Sequence, residues 1–542
     1  MSEKPEVYLF EEAAKLNMTK FELGGKGYGL VEMTKIGLPV PPGIVITTRM
    51  CNEYFKKGRQ LWPELKEAIV EKVHKLEEKT GKKFNDEQNP LLVSVRSGAP
   101  YSMPGMMDTV LNLGINDRVV KVLARKTQDE RFAYDTYRRF IQMFGKIVMR
   151  IPGELFDKEL EKLKEELGVK QDIEVTAQGW KELVERFKKI VKQNTGIDLP
   201  QDPWDQLFMA VGAVFDSWWN QRAIEYRKIY KIPDELGTAV NIVMMVFGNL
   251  DDRSGTGVAF TRDPSTGEKK LYGEVLIRAQ GEDVVAGIRT PLPVEKLKEI
   301  MPEVYQQLLD VAKKLEAYFK DVQDIEFTIE SGKLYMLQTR NAKRTAIAAV
   351  RIAIDMVNEG LITKEEAVLR IEPGQFLTLF YKQIDPNNKV KPVARGLPAS
   401  PGAAVGKVVF TKEEAQEWKK RGERIILVRP ETTPEDIAGI AAADGVLTSR
   451  GGMTSHAAVV TRGMGKPCIV GAESIKIDLE KKIFYVDSTA VKEGDIITID
   501  GTTGSVYAGE LKLVEPQISK EVATILQWAD SFRRLRVRAN AD

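Results

Sequence analysis

The sequence is poor in cysteine and in histidine. It contains two cysteines, Cys51 and Cys468, and two histidines, His74 and His456, among 542 residues. Because the cysteines lie far apart and lack the spacing of metal ligands, the sequence argues against a disulfide framework and against a zinc site. The charged residues around His74 predict a surface position for it. Any histidine chemistry in this chain therefore depends on His456.

Long apolar runs and an excess of charge of one sign are also absent. Lys and Arg number 80 and Asp and Glu 78, so the formal net charge of +2 indicates neither a nucleic-acid nor a membrane partner. No apolar run approaches the roughly 20 residues that cross a bilayer, and the charged N-terminus lacks the apolar core of a signal peptide. We therefore expect a cytoplasmic protein with an α/β multidomain fold of two to four domains.

Apolar periodicity predicts helices over residues 52–84, 117–194 and 205–230, and strands from residue 238 onwards. Neighbouring residues on a helix point in different directions, so at most one of Arg138 and Arg139 should face a given site. Two further helices are predicted within residues 342–379, where they would form a connector to a C-terminal α/β segment.

The stretch at residues 448–463 places His456 directly after a glycine-rich turn. Either Thr454 or Ser455 can cap the helix that the following apolar residues predict. At a helix N-terminus, backbone N–H groups and the helix dipole favour an anion. The pattern favours His456 as a phosphoryl carrier, and the alternative is a capped helix with a partly buried histidine.

Three stretches in the N-terminal half suit a polyphosphate. Residues 21–30 are predicted as a glycine-rich loop with one lysine, Lys26, although the spacing matches neither a P-loop nor the dinucleotide fingerprint. A strand is predicted to end at Arg96, and arginine at such a position can hold phosphate with two hydrogen bonds. Residues 255–257, Gly-Thr-Gly, predict a loop whose N–H groups could cover phosphates. A solvated lysine on a flexible turn and an ordinary hairpin turn are the alternatives.

Residues 324–340 predict a β-hairpin with one polar face. Asp324 and Glu326 share a face of the first strand, opposite apolar residues, and Gln338 and Arg340 share a face of the second. Mg²⁺ binds through one or two carboxylates together with substrate phosphates. The hairpin therefore predicts part of a site for a magnesium nucleotide, although a solvated hairpin would show the same alternation.

The chain resembles the pyruvate phosphate dikinase family over essentially all of its length. The motifs that carry the resemblance lie at residues 24–27, 95–100, 102–108, 323–330, 337–341, 396–406 and 451–456. The resemblance implies four parts. These are an ATP-grasp nucleotide-binding domain over 1–342 with a helical insertion at about 115–197, a helical linker over 343–390, a swivelling phosphohistidine domain over 391–515, and a second linker over 516–542.

The resemblance also implies the roles of individual residues. The family places ATP over residues that match Lys26, Arg96, Arg139, Thr256, Asp324, Glu326, Gln338 and Arg340. Asp324, Glu326 and Gln338 would hold Mg²⁺, Arg96 and Arg340 would assist transfer to His456, and ammonium or potassium would be a further cofactor. Thr454 matches a threonine that a regulatory kinase and phosphatase protein modifies, with helix capping as the alternative.

By the same resemblance, the β-phosphoryl group of ATP goes to His456, AMP leaves, and inorganic phosphate takes the γ-phosphoryl group to give pyrophosphate. The family's barrel domain for pyruvate and phosphoenolpyruvate would follow this chain and is missing. We therefore expect a truncated chain, with a natural short form as the alternative. We also expect this chain to be a monomer, whereas the complete protein would be a homodimer. Two alternatives stay open: a phosphoenolpyruvate synthase, in which water takes the γ-phosphoryl group, and a phosphocarrier that another protein phosphorylates. A serine hydrolase built on Ser455 and His456 is disfavoured, because no nucleophile-elbow motif is present.

Overall fold

The computed structural model describes residues 4–103, 105–281, 283, 290–376, 379, 383–385, 388–487, 489–514 and 519–536. The chain is a mixed α/β protein that divides into two compact units. Unit 1 comprises Met1–Ser254 and Thr328–Arg340, and unit 2 comprises Gly255–Phe327 and Asn341–Asp542. This division differs from the four parts that the resemblance implies, which stay a prediction.

Unit 1 contains a five-stranded antiparallel sheet. Its strands are β1 (Val7–Leu9), β2 (Gly43–Ile46), β3 (Val93–Gly98), β4 (Thr109–Leu113) and β5 (Ala239–Met244). They lie in the order β1-β2-β5-β3-β4. Arg96 pairs with Asn241 across β3 and β5, so Arg96 lies within its strand and not at the end that the sequence predicted.

Ten helices of unit 1 lie in the described residues. They are α1 (Phe10–Lys15), α2 (Lys20–Lys35), α3 (Thr48–Lys56), α4 (Pro63–Thr80), α5 (Val119–Thr127), α6 (Glu130–Ile147), α7 (Gly153–Leu167), α8 (Ala177–Thr195), α9 (Pro203–Asp216) and α10 (Gln221–Tyr230). The prediction of one helix over 205–230 is wrong. A 3₁₀ turn at Ser217–Trp219 separates α9 from α10, and the extended backbone of Asn220 starts the second helix.

The glycine-rich segment at residues 21–30 is not the predicted loop, because it lies in α2. Gly24 interrupts the helix with φ 68° and ψ 160°, a conformation that favours glycine. A Cβ on Gly24 would lie 1.7 Å from the carbonyl oxygen of Gly98. The absent side chain therefore lets α2 approach the end of β3, and it brings the Cβ of Lys26 to 3.3 Å from where a Cβ on Gly98 would lie.

We expect Gly24→Ala to lower the free energy of unfolding by about 3 kcal/mol or more, because backbone strain and a steric clash act together. Gly37→Ala is the matched control. Gly37 also has a positive φ, 74°, but no atom lies within 4 Å of its added Cβ, so about 1–2 kcal/mol of strain should be its whole cost. Denaturant unfolding measures both variants, and equal losses would contradict the close approach of α2 to β3.

The next five strands are β6 (Gly255–Phe260), β7 (Tyr272–Ile277), β8 (Leu292–Pro293), β9 (Gln323–Glu330) and β10 (Lys333–Asn341). They form a sheet of order β10-β9-β6-β7-β8, and the division between the units falls within β9 and near the end of β10. The predicted hairpin of residues 324–340 is confirmed as β9 and β10.

Residues 255–257 do not form the predicted loop, because they open β6. Thr256 pairs with Leu276 of β7. A Cβ on Gly257 would lie 2.5 Å from the ring of Phe327. Close packing of strand and ring thus explains this glycine without any need for a phosphate.

The C-terminal segment of unit 2 is rich in short strands. They are β11 (Gln383–Ile384), β12 (Ala394–Arg395), β13 (Leu397–Ser400), β14 (Ala403–Val409), β15 (Ile425–Arg429), β16 (Gly445–Thr448), β17 (Cys468–Val470), β18 (Lys476–Asp478), β19 (Ile483–Val486), β20 (Thr489–Lys492), β21 (Ile496–Asp500), β22 (Ser505–Ala508) and β23 (Leu513–Val514). Eight of them form one sheet of order β12-β22-β21-β14-β15-β16-β17-β13, in which β14 to β17 are parallel.

Nine helices of unit 2 lie in the described residues. They are α11 (Leu297–Ile300), α12 (Pro302–Phe319), α13 (Ala346–Asn358), α14 (Lys364–Leu369), α15 (Pro373–Phe376), α16 (Lys412–Lys420), α17 (Ile437–Ala442), α18 (His456–Met464) and α19 (Lys520–Phe532). No helix of the described residues is long and apolar enough to cross a membrane.

The two predicted connector helices are confirmed as α13 and α14. The hydroxyl oxygens of Thr345 and Thr363 cap them by accepting hydrogen bonds from backbone N–H groups three residues on. Residues 377, 378, 380–382, 386 and 387 of the predicted linker lie outside the described residues, as do 515–518 and 537–542 near the C-terminus. The helix predicted for the second linker is present as α19.

Candidate functional site

His456 is the first residue of α18, directly after the turn that follows the parallel strand β16. The Ser455 hydroxyl accepts a hydrogen bond from the Ala458 N–H at 3.5 Å, and Gly451 in the turn has φ 96°. The predicted helix start is thereby confirmed, with Ser455 and not Thr454 as the cap. The imidazole lies where free N–H groups and the helix dipole stabilise negative charge.

The two ring nitrogens of His456 have different surroundings. Nδ1 lies 3.2 Å from the Thr432 hydroxyl oxygen. Nε2 is buried, and no described residue forms a hydrogen bond with it. When Nδ1–H donates to Thr432, the lone pair of a neutral imidazole remains on Nε2, which is the form a nucleophile requires.

Burial lowers the pKa of His456 to about 4, with Asp436 acting to raise this pKa and Lys343 to lower it further. The ring is therefore neutral at pH 7, since protonation would place a charge in a poorly solvated position. A neutral ring is the reactive form for attack on phosphorus.

We expect His456 to titrate near pH 4 in the His74→Gln variant, where it is the only histidine. NMR of its ring protons measures this directly. Because the pKa is depressed in the folded state, the unfolded chain binds the extra proton between about pH 6.5 and 4. The free energy of unfolding should therefore decrease as the pH falls through that range, because the folded state cannot take up this proton. A midpoint close to 6.5 would contradict the burial of the ring.

Glu274 on β7 holds the turn before His456. Its carboxylate accepts hydrogen bonds from the Met453 N–H at 3.2 Å and from the Thr454 hydroxyl at 3.1 Å. Burial raises the pKa of Glu274, and these two hydrogen bonds oppose that shift. Sequence reasoning missed this residue, although a carboxylate in an otherwise apolar strand was a signal that could have drawn attention to it.

Arg462 on α18 also forms a hydrogen bond with the turn before His456. Its guanidinium donates to the carbonyl oxygens of Ala399 and Met453, both at 3.1 Å, and it is 1% exposed. Sequence reasoning missed it as well. A buried arginine six residues after His456 makes the turn a defined structure and not a flexible loop.

Five of the residues predicted to bind ATP lie in unit 1, namely Lys26, Arg96, Arg139, Gln338 and Arg340. Arg96 donates to the carbonyl oxygen of Leu337 at 3.3 Å, which places it beside Gln338 on β10. The Arg340 guanidinium donates to the Ser102 hydroxyl at 3.2 Å. Lys26 lies against the end of β3. Three basic side chains, those of Lys26, Arg96 and Arg340, and the amide of Gln338 therefore lie on or beside β3 and β10.

Arg139 contacts Asp135 on its own helix, α6. Arg138 also pairs with Asp135, at 2.7 Å, whereas the Arg139 pair measures 3.2 Å. Both arginines contact the same carboxylate, because positions three and four residues after it both reach it. That at most one of them faces the ligand site stays a prediction. Arg138 additionally pairs with Asp172 and lies over the Trp180 ring, so it is a structural residue of the helical region.

The other predicted residues lie in unit 2. Asp324 on β9 is 3% exposed, which excludes the alternative of a solvated hairpin face at that position, and Glu326 is half-buried. Thr256 is buried, and its hydroxyl donates to the Phe327 carbonyl oxygen at 3.2 Å.

No group of three or more metal-ligating side chains occurs among the described residues. Two carboxylates on one strand face match what Mg²⁺ takes from a protein when substrate phosphates complete its shell.

Two family models match the chain. Residues 60–299 and 292–361 match "Pyruvate phosphate dikinase, AMP/ATP-binding domain", and residues 422–504 match "PEP-utilising enzyme, mobile domain". The second match contains His456 and the turn that precedes it.

Curated relatives agree with these matches. Pyruvate, phosphate dikinase of Clostridium symbiosum is 54% identical over 99% of this chain and 61% of the relative. The Entamoeba histolytica enzyme of the same name is 55% identical over 99% and 61%. Pyruvate, phosphate dikinase 1, chloroplastic, of Arabidopsis thaliana is 53% identical over 96% and 54%. The chain thus spans about three fifths of the length of these relatives. With both family models matched and His456 at a helix N-terminus within the second match, the chain belongs to the pyruvate phosphate dikinase family and carries its AMP/ATP-binding domain and its mobile domain.

Proposed function

We propose that this chain transfers the β-phosphoryl group of ATP to His456. AMP leaves, and inorganic phosphate takes the γ-phosphoryl group to give pyrophosphate. The observation that carries the proposal is the neutral imidazole of His456, whose buried Nε2 lies at the start of α18. The matches to an AMP/ATP-binding domain and to a mobile domain support a nucleotide as the phosphoryl donor.

The transfer forms a bond between Nε2 and the β-phosphorus and breaks the bond between that phosphorus and the oxygen that stays with AMP. Inorganic phosphate then attacks the γ-phosphorus and breaks its bond to the bridging oxygen, which stays with the β-phosphoryl group on His456, and pyrophosphate leaves. Nε2 attacks with its lone pair, and Nδ1–H donates to Thr432, which stabilises the positive charge that develops on the ring. The N-terminus of α18 then stabilises the phosphate on the histidine. Glu274 and Arg462 position the turn, so that the imidazole does not have to be ordered during the reaction.

The phosphates of ATP are proposed to bind five side chains of unit 1, with Thr256 near them. These are Lys26, Arg96, Arg139, Gln338 and Arg340. Arginines bind phosphate with paired hydrogen bonds, and Lys26 supplies a compact charge. Asp324, Glu326 and Gln338 are proposed to hold Mg²⁺. When bound, Mg²⁺ supplies positive charge that offsets the charge moving onto the departing phosphates.

The chain is proposed to have an ATP-grasp nucleotide-binding domain and a swivelling phosphohistidine domain, with α13 and α14 as the connector. A helix of 13 residues such as α13 is about 20 Å long. A connector of this length allows the carrier domain to move between two sites. Later transfer to pyruvate, which gives phosphoenolpyruvate, is proposed for a full-length protein of this family.

Labelling with β-³²P-ATP and γ-³²P-ATP tests the proposal. With Mg²⁺, the β label should appear on the chain in an acid-labile bond, and its amount should rise when inorganic phosphate is added. With inorganic phosphate present, the γ label should end in pyrophosphate and should not remain on the chain. Label on the chain that comes only from the γ position, or no label from either nucleotide, would overturn the proposal. Equal β labelling without phosphate, with release of γ-labelled phosphate, would instead indicate the synthase reaction.

A further inference from the structure

Unit 1 contains a cavity of about 730 Å³ that the proposed reaction does not use. The end of α3, the start of α4, the end of α6 and helix α9 form its walls. Its described lining residues include none of those proposed to bind ATP. Known small-molecule sites have volumes of about 300–1,000 Å³, so the cavity has the size of a site for an organic metabolite.

The cavity is strongly basic. Five basic side chains and two carboxylates line it. The carboxylates are already neutralised, because Arg150 pairs with Asp216 at 3.2 Å and Arg222 pairs with Asp108. Three cations remain, and none of them pairs with a carboxylate of the described residues. They are Arg59, Lys66 and Lys146, and all three are exposed. Their charge is available to a ligand.

Part of the cavity wall is apolar. Leu61, Phe208 and Met209 line it, and the Lys66 ammonium lies 5.3 Å from the centre of the Phe208 ring. An aromatic ring offers a flat surface, and methionine adapts to the shape of what it contacts. A ligand here would therefore place an apolar or planar part against α9 and its charged part among the cations.

We propose that this cavity binds an organic phosphate, in which a phosphate group is joined to a planar or apolar group. The phosphate is dianionic and has several acceptor oxygens, which suits one guanidinium and two ammonium groups. Inorganic phosphate has the charge but leaves the apolar wall exposed to water. A neutral aromatic molecule covers that wall but leaves the three cations without an anion. The ligand therefore needs both its phosphate and its planar or apolar group for tight binding.

The test uses 1-naphthyl phosphate as the probe, with inorganic phosphate and 1-naphthol as controls that each lack one part. The chain is labelled with ¹³C at its methionine methyl groups, and Met209→Leu assigns the Met209 signal. We expect the probe to shift that signal at a concentration at least about tenfold below either control, a difference of about 1.4 kcal/mol. An unchanged Met209 signal, or equal effects of all three compounds, would overturn the proposal.

Charge reversal at two of the lysines that line the cavity is the second test of the proposal. Lys66→Glu with Lys146→Glu should weaken binding of the probe by at least about tenfold. Lys158→Glu with Lys162→Glu is the matched control, because these exposed lysines of α7 carry the same charge and do not line the cavity. Binding that survives the first pair, or that is lost equally in the second, would rule the site out. Unchanged methionine signals elsewhere in the spectrum show that the variants are folded.

Discussion

His456→Asn should reduce the transfer of β-³²P label from ATP to the chain to background, a loss of more than about 10³-fold. Asparagine is polar and can still accept or donate a hydrogen bond at Thr432, so the turn should keep its structure. Its amide nitrogen is not a nucleophile, because the lone pair is delocalised into the carbonyl group. Acid-labile label on the intact chain measures the effect.

His74→Asn is the natural control for this experiment. His74 lies on the surface, as the sequence predicted, with its side chain 57% exposed and Nδ1 2.8 Å from Glu77. Its loss should leave labelling unchanged. Calorimetry with Mg²⁺ and ATP should show nucleotide binding in both variants. Persistent acid-labile label in His456→Asn would mean that the carrier is another residue.

Thr454→Asp should lower labelling of His456 by about 100-fold or more, because like charges forced together in a partly buried site cost a few kcal/mol. Thr454 donates its hydroxyl hydrogen to Glu274. Aspartate removes this donor and places a second carboxylate beside the first. It also puts an anion near the helix start that should receive the phosphate on His456. Thr454→Ser keeps the hydroxyl and should keep the activity.

Two further variants separate charge from shape. Thr454→Asn has the size of the aspartate without its charge, and it should retain most of the labelling. Glu274→Gln in the Thr454→Asp background removes one of the two carboxylates, and it should restore part of the lost labelling. If the double variant were as inactive as Thr454→Asp alone, the contact with Glu274 would not be the cause. Circular dichroism and nucleotide binding should stay unchanged throughout.

Phosphorylation of Thr454 by a regulatory protein stays a prediction. The contact with Glu274 gives a physical reason why such a phosphate would block transfer to His456. A phosphate would bring about −1.5 to −2 charge to this position. It would lose the hydrogen bond to Glu274 and repel that carboxylate. The turn that Glu274 and Arg462 hold would then be displaced, and transfer to His456 would stop.

The elements that could be predicted from the sequence are those whose conformation has a local cause. Glycines followed by a capping residue and an apolar helical pattern predict the start of α18, and with it the position of His456 at a helix N-terminus. Strict alternation predicts β9 and β10, and the helical pattern of residues 342–379 predicts α13 and α14. In each case, residues within a few positions of one another decide the conformation, so periodicity and capping rules suffice.

Local rules failed where packing decided the structure. The glycines at residues 24–27 and 255–257 look like phosphate loops, but Gly24 lets α2 approach β3 and Gly257 makes room for Phe327. A small residue is required in either case, so the sequence pattern is the same for both causes. Close packing of two distant segments, which no local window contains, selects between them.

The surroundings of the His456 ring depend on contacts between segments that are far apart in the sequence. Glu274 and Thr454 are 180 residues apart in the sequence, and Thr432 and His456 are 24 apart. Their contacts depend on how strands and helices pack in three dimensions. The depressed pKa of His456 has the same origin, because burial is a property of the folded chain and not of the residues next to the histidine. The sequence thus pointed to His456 as the candidate phosphoryl carrier, and the fold supplies the environment that keeps its ring neutral and in place.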